Sequence, residues 1–450
     1  MFKKFTLLCV KLVQRYLPDP FIFCAALTVF VFVLGIIITG QSPFAMITHW
    51  GKGFWSLLAF SMQMALVLVF GHTLANAPAF KKFLSRLAEL PKSPKQAIIY
   101  VSVVAVVACW INWGFGLVIG AIYAREIAKK VPNVDYRLLI ASAYSGFLIW
   151  HQGMSGSIPL TIASGSAEVK ALTLGVIDSA IPTSLTIFHP AVLFTSLAFL
   201  LALPLINMAM HPDAKNTVSF VPVDPDLTEE VKQELTAADK MERGPLFSIL
   251  ITVMGFVYII MYFAKNGFAL NLDIVNFTFL ILGVALHKTP RRFLDALAEA
   301  VKGAGGVLLQ FPFYAGIAAM MVGKSAAGES IAGIFSIGFV SISTEFTFPL
   351  WAFLSAGLVN FFVPSGGGQW VVQAPIILPA AQELGVHPAV ASMCIAFGDA
   401  WTNMIQPFWA LPALGIAGLG ARDIMGYCII DLLVAGIIMG VGITVYGVMM

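Results

Sequence analysis

The stretch Asn360-Phe361-Phe362-Val363-Pro364-Ser365-Gly366-Gly367-Gly368-Gln369-Trp370 decides how this chain must fold. It lies inside an apolar run, residues 346–381, where a proline and three consecutive glycines cannot carry a helix through. Unwound backbone at bilayer depth is tolerated only where protein buries it or a watery cavity meets it. A Ser-Gly-Gly-Gly turn opening onto a new helix also presents free N–H groups at a positive dipole end, which together form an anion cradle. A second interruption, Asn112-Trp113-Gly114-Phe115-Gly116, sits in the first half of the chain.

The composition places these breaks in a membrane. The 450 residues are 59% hydrophobic and only 11% charged, against about 25% charged in soluble domains. The chain therefore reads as an all-α polytopic membrane protein. Residues 1–19 carry Lys3, Lys4, Lys11 and Arg15 among apolar side chains, the pattern of a short amphipathic helix on the cytoplasmic face and not of a secretory signal. The five cysteines are scattered without metal spacing, and no cofactor is expected. Nothing in the charge pattern calls for nucleic acid; the lipid bilayer is the expected partner.

Reading outward gives about nine spans. Residues 20–40 and 54–75 are apolar, and the basic segment after them (Lys81, Lys82, Arg86, Lys92, Lys95) marks the cytoplasmic side. Residues 97–124 would reach roughly 42 Å as one helix, too long for a ~30 Å hydrocarbon core, and two crossings need about 40 residues. The run breaks at Asn112–Gly116 and has basic residues at both ends, so it reads as a re-entrant hairpin. Residues 138–164 form a discontinuous helix with the polar waist His151-Gln152-Gly153-Met154-Ser155-Gly156-Ser157, and residues 183–208 return to the inside. Residues 211–244 are a hydrophilic cytoplasmic linker, and 245–264 a connecting span. The second half, 265–450, holds a second hairpin at 346–381 and a second broken helix at 388–420, interrupted at Asn403–Pro407. Only Lys52, Lys170, Lys265 and Lys324 then fall outside, so 26 minus 4 leaves 22 Lys/Arg inside. The N-terminus is expected in the cytoplasm and the C-terminus in the periplasm.

The two halves correspond at a spacing of about 250 residues. Lys52-Gly53 pairs with Lys302-Gly303, Asn112 with Asn360, Ser145-Gly146 with Gly398-Asp399, and Gly165 with Gly418. The first repeat (20–210) and the second (265–450) enter from opposite sides, which predicts an inverted-repeat transporter whose hairpin tips converge near the midplane.

Several long motifs carry a family resemblance: Ile111–Gly116, Val363–Gly368, Gln310-Phe311-Pro312-Phe313-Tyr314-Ala315-Gly316, Gln406-Pro407-Phe408-Trp409-Ala410-Leu411-Pro412 and residues 418–427. Along essentially its whole length the chain resembles the bacterial short-chain fatty acid transporters. The resemblance implies uptake of small monocarboxylates such as butyrate or acetoacetate across the bacterial inner membrane. It also implies a distant place in the ion-transporter superfamily, whose members pair two hairpins with two broken helices and move as elevators. Carriers of that kind often form homodimers. The Ser-Asn-Thr hairpin tips of that superfamily's dicarboxylate carriers are absent, so their sodium sites do not carry over.

A carboxylate in a low-dielectric cavity needs N–H or hydroxyl donors, and no inferred span has Lys or Arg at its centre. Ser365, Gly366, Gly367 and Gly368 are the expected cradle, with Asn112, Gly114 and Asn360 at the tips. Ser155, Ser157, Asn403 and Gln406 are expected in the cavity walls. The bland reading of each is a turn glycine or an interhelical hydrogen bond, worth only ~1 kcal/mol. Asp399 in an apolar run and His151 are the expected groups for H+ or Na+ coupling, since an intramembrane acid needs a partner or a function. The tryptophans at the breaks either wall an acyl tail or pack. Two rival readings stand beside this one: a dicarboxylate or sugar-acid carrier, and an intramembrane serine protease built on Gly153-Met154-Ser155-Gly156, which would need a histidine base within reach of Ser155.

Overall fold

The structure is a computed structural model that describes residues 2–16, 20–56, 58–220, 236–267 and 272–450. Its described residues are helical, with no strand among them. The first half runs through α1 (Phe2–Tyr16), α2 (Pro20–Thr39), α3 (Pro43–Gly53), α4 (Leu58–Asn76), α5 (Pro78–Leu87), α6 (Pro94–Ile111), α7 (Trp113–Ala128), α8 (Tyr136–Ser145), α9 (Ser157–Ser164), α10 (Ala167–Leu172) and α11 (Pro190–Met210). The second half runs through α12 (Ala237–Arg243), α13 (Leu246–Asn266), α14 (Leu272–His287), α15 (Pro290–Val301), α16 (Gly305–Val322), α17 (Ile331–Val340), α18 (Phe348–Asn360), α19 (Gly366–Glu383), α20 (Pro388–Thr402), α21 (Pro407–Ala417) and α22 (Ala421–Met449).

Among the described residues, five helices are long and apolar enough to cross a membrane: α2, α6, α11, α13 and α22. The bent pair α4–α5, turned by 83° where Pro78 starts the second helix, makes a sixth. The other expected crossings are shorter or broken, as α14 and α16 are. The chain is a multi-pass membrane protein. The span expected over 183–208 is a 3-10 turn at Thr183–Leu185 followed by α11, because His189 caps and Pro190 opens a new helix there. The amphipathic N-terminal helix exists, but it packs Thr6, Cys9 and Val10 inward, with Val10 against Gly426 of α22. Of the expected linker, residues 221–235 lie outside the described ones. Its first residues are tied down, the Val218 amide donating to Asp135 at 2.8 Å.

Two helical hairpins and two broken helices form the interior. In the first hairpin, Gly116 packs on Cys109 and Gly120 on Ala105, the descending register of an antiparallel pair turned at Asn112 alone. The pair spans residues 94–128, longer than the expected 97–124. Ser93 and Pro94 start α6 early and α7 runs past Arg125. α6 alone is long and apolar enough to cross a membrane, so length does not decide between a re-entrant hairpin and two crossings. The second hairpin joins α18 to α19 through residues 361–365.

Each hairpin's first arm lies beside the first half of the following broken helix. A Cβ added to Gly146 would fall 2.5 Å from the Ala105 carbonyl carbon, and one added to Gly398 would fall 2.5 Å from the Phe353 carbonyl oxygen. The first broken helix is α8, a 3-10 turn at Gly146–Gln152, and α9; the second is α20, a 3-10 turn at Asn403–Ile405, and α21. Both end on a left-handed glycine, Gly165 at φ 57° and Gly418 at φ 67°.

Candidate functional site

The tips are built alike. Asn112 caps α7 with φ −154° and ψ 122°, and Ser365 caps α19 with φ −155° and ψ 113°. Asn112 Oδ1 accepts from the Phe115 amide at 2.9 Å, and Ser365 Oγ accepts from the Gly368 amide at 3.3 Å. A short polar side chain at N-cap takes one of the orphan amides of a new helix. The local partner of Asn112 is therefore Ser365, at a spacing of 253 and not the 248 of the expected Asn360 pairing. Gly165 with Gly418 and Ser145 with Gly398 keep the same 253.

Asn360 ends α18, and its amide donates to the Asp399 carbonyl at 2.7 Å, Thr402 Oγ1 at 2.9 Å and Asn403 Oδ1 at 2.9 Å. Gln406 Nε2 returns to the Asn360 carbonyl at 2.7 Å and also reaches the Phe361 carbonyl. Thr402, which the sequence reading passed over, donates to the Gly357 carbonyl at 2.9 Å. Asn360, Asn403 and Gln406 thus clamp the second hairpin onto the break of the second broken helix. All three are buried. Gln369 and Gln373, also passed over, tie α19 back to α18 through the Ala356 carbonyl (2.8 Å) and Ser355 Oγ (3.3 Å). The signal for them was uncharged amides one helical turn apart in an apolar run.

The first broken helix touches both tips. Ser155 Oγ accepts from the Trp113 amide at 3.0 Å, and the Trp110 carbonyl accepts from the Met154 amide at 2.8 Å. Two residues on, a Cβ added to Gly366 would lie 2.6 Å from Ser157 Oγ and 2.6 Å from His151 Cε1. The tip of the second hairpin is pressed against the waist that also caps the first.

His151 and Asp399 are fully buried there. His151 Nδ1 faces two acceptors, the Ala396 carbonyl at 2.9 Å and Asp399 Oδ1 at 3.3 Å, while Nε2 meets Ser157 Oγ at 3.0 Å. The Ala396 carbonyl can only accept, so Nδ1–H donates to it, while the Ser157 hydroxyl can pair with Nε2 in either role. Asp399 Oδ2 has no hydrogen-bond partner among the described residues. A polar chain Ser157–His151–Asp399 thus runs from the hairpin tip to the second broken helix. A protease on Ser155 would need a histidine bonded to that serine; among the described residues Ser155 Oγ instead accepts from the Trp113 amide, and His151 bonds Ser157.

At the tip, Gln369 N–H reaches the Ser365 carbonyl at 2.7 Å, and Gly368 N–H reaches Ser365 Oγ. The N–H groups of Gly366 and Gly367 have no protein acceptor among the described residues, and neither has that of Gly114 in the first tip. Gly367 is exposed, and a Cβ there would meet nothing within 4 Å. The cradle is open on that side. Farther along α19, Val371 and Pro375 line a cavity of about 570 Å³ with Lys324 and Glu329 at its rim.

Trp113, Trp150 and Trp409 gather with Phe147 behind the first tip, Trp113 and Trp409 meeting edge to face at 5.2 Å and Phe147 stacking on Trp150 at 5.4 Å. Trp150 also lies flat on His151 at 3.5 Å. Trp401 instead faces α22 and donates to the Leu432 carbonyl at 2.8 Å. One acid escaped the sequence reading altogether: Asp431 of α22 is fully buried, and neither of its oxygens has a hydrogen-bond partner among the described residues. The signal was the same as for Asp399, an acid inside an apolar run.

Apolar helices of membrane-spanning length, together with broken helices that have buried polar turns, define a polytopic α-helical membrane protein. The comparisons are specific within it: the short-chain fatty acid transporter family model matches residues 1–446, and the chain belongs to that family. A protein of Escherichia coli (strain K12), described provisionally as a short-chain fatty acid transporter, is 43% identical over 97% of this chain and 98% of its own. One of Haemophilus influenzae with the same description is 42% identical over 96% and 97%. Among solved structures, the YdaH transporter of Alcanivorax borkumensis aligns over 96% of this chain and 98% of its own, at 14% identity and a TM-score of 0.45.

Proposed function

We propose that this protein is a secondary transporter that moves short-chain monocarboxylates, of the size of butyrate or acetoacetate, across the bacterial inner membrane. The observation that carries the reading is the pair of unengaged N–H groups at Gly366 and Gly367, at the dipole-positive start of α19 and open at Gly367. Two such donors match the two oxygens of one carboxylate, and the tip needs no lysine or arginine to bind it. Family membership supplies the substrate class, since both bacterial relatives are described in those terms.

In this reading Ser365 sets the cradle's geometry, and Ser157 bonds a bound carboxylate or its neighbour. The His151–Asp399 pair carries the coupling charge, H+ or Na+. Two hairpins that enter from opposite leaflets as inverted repeats, and an elevator motion of the hairpins with their broken helices, complete the scheme. The N-terminus lies in the cytoplasm and the C-terminus in the periplasm, and the assembly is a homodimer. The shared tip geometry at Asn112 and Ser365 supports the repeat. Uptake of labelled butyrate into proteoliposomes, under separately imposed proton and sodium gradients, tests the reading. One of the two gradients accelerates uptake, and Ser365→Val greatly weakens it with the fold intact. Indifference to both gradients removes the coupling role of His151 and Asp399, and wild-type kinetics in Ser365→Val removes the cradle.

A further inference from the structure

The polar waist does not use Asp431. It is the eleventh residue of the 29-residue α22, roughly 14 Å along the axis from the charged end at Arg422 and so near the middle of a ~30 Å core. Its depth matches the second break: the next residue, Leu432, accepts the Trp401 indole, and Gly436 one turn on gives that ring room, with a notional Cβ 2.9 Å from Trp401 Cζ2. α22 packs directly on the 3-10 turn Asn403–Ile405. Both carboxyl oxygens are buried, and neither has a hydrogen-bond partner among the described residues.

The titratable groups on the neighbouring elements are committed elsewhere. On α20, Asp399 bonds His151. On α8, Tyr144 donates to the Asn403 carbonyl at 2.6 Å, Tyr136 to the Ala417 carbonyl at 2.8 Å, and Arg137 approaches Asp135. On α1, Lys3 pairs with Asp213, while Lys4, Lys11, Arg15 and Tyr16 are outward. On α22 itself, Tyr427 engages Asp135, and Tyr446 engages the Leu185 carbonyl. The thiols of Cys9, Cys394 and Cys428 remain, the last one turn from Asp431, and none bonds to it. α11, α18 and α21 contribute no titratable side chain.

A carboxylate left bare in such a place is strongly disfavoured against either a neutral acid or a charge with a partner. We propose that Asp431 is a proton-carrying site: in this conformation it holds one proton as a neutral acid, sealed under the α20–α21 break. Movement of that break off α22 exposes the carboxyl to water, where it exchanges the proton. The assignment deepens the transport reading by making H+ a coupled ion, but the protonation itself stands apart from any substrate.

The test has two arms. Infrared spectroscopy of the purified full-length protein in lipid, near neutral pH, is expected to show the carbonyl stretch of a protonated carboxylic acid. That band is lost in Asp431→Asn and kept in Asp399→Asn. A wild-type protein without the band overturns the proposal whatever the variants do, and so does a band that survives Asp431→Asn. In proteoliposomes, Asp431→Asn is expected to keep butyrate exchange at zero gradient and to lose acceleration by an inward proton gradient. Acceleration equal to wild type overturns the proposal. If Asp431→Asn does not fold, Asp431→Ser replaces it in both arms. Absence of butyrate transport in the wild type would defeat the substrate reading and leave the infrared arm to decide Asp431.

Discussion

Gly366→Ala puts the contact between hairpin tip and waist under direct strain. The added Cβ would lie 2.6 Å from Ser157 Oγ and His151 Cε1 and 2.7 Å from His151 Nε2, about 1 Å inside the usual contact distance. His151 cannot retreat easily, because Nδ1 is held by the Ala396 carbonyl and Asp399. The tip must yield instead. Overpacking of this kind costs ~1–3 kcal/mol. If that cost falls wholly on the docked tip, its docking equilibrium constant drops by about 5- to 150-fold, and apparent substrate affinity drops by up to the same factor. Gly368→Ala is the matched control, since its Cβ meets Ser365 at 3.4 Å and Val363 at 3.7 Å, both ordinary contacts. The assay is concentration-dependent uptake of labelled butyrate in proteoliposomes, with thermal stability followed in parallel. Gly366→Ala should raise the half-saturating concentration while Gly368→Ala stays near wild type. Equal behaviour of the two variants would refute the claim that docking of this tip on His151 and Ser157 forms the site.

Other outcomes follow from the same contacts. Ser155→Ala strands the buried Trp113 amide, which should lower stability by ~1–3 kcal/mol and be read as a lower melting temperature in detergent. Asn360→Ala removes the donor shared by Asp399, Thr402 and Asn403. It should cost about 2–4 kcal/mol and loosen the second hairpin, seen as faster amide exchange in α18 and α19. Gly418→Ala forces a Cβ into the left-handed region at φ 67°, for roughly 1 kcal/mol of destabilisation in the same melting experiment and little change in uptake.

The class of fold was legible because it rests on composition and on breakers: Pro364 with three glycines, and Asn112 with Gly114 and Gly116, can only mark turns in such apolar runs. The cap residues were legible for the same reason. What the sequence concealed is which partner each polar side chain meets. Asn360 looks like a tip residue but lies at the base of the loop, where its amide finds three acceptors on the next helix. Ser155 and Ser157 look equivalent, yet the turn at Gly156 sends one to the Trp113 amide and the other to His151. His151 and Asp399 are 248 residues apart, and no local periodicity brings them to 3.3 Å. Helix ends also escaped, as with residues 183–208, because an apolar run does not say where a His-Pro pair will restart the helix.

The central claim is that bare backbone amides at the start of α19 hold a single carboxylate. An experimental structure of the full-length protein in lipid nanodiscs with saturating butyrate tests it most directly. The carboxylate oxygens should lie within ~3 Å of the Gly366 and Gly367 nitrogens, on the open side of Gly367. Density for butyrate elsewhere, with those two nitrogens facing protein or lipid, would contradict it.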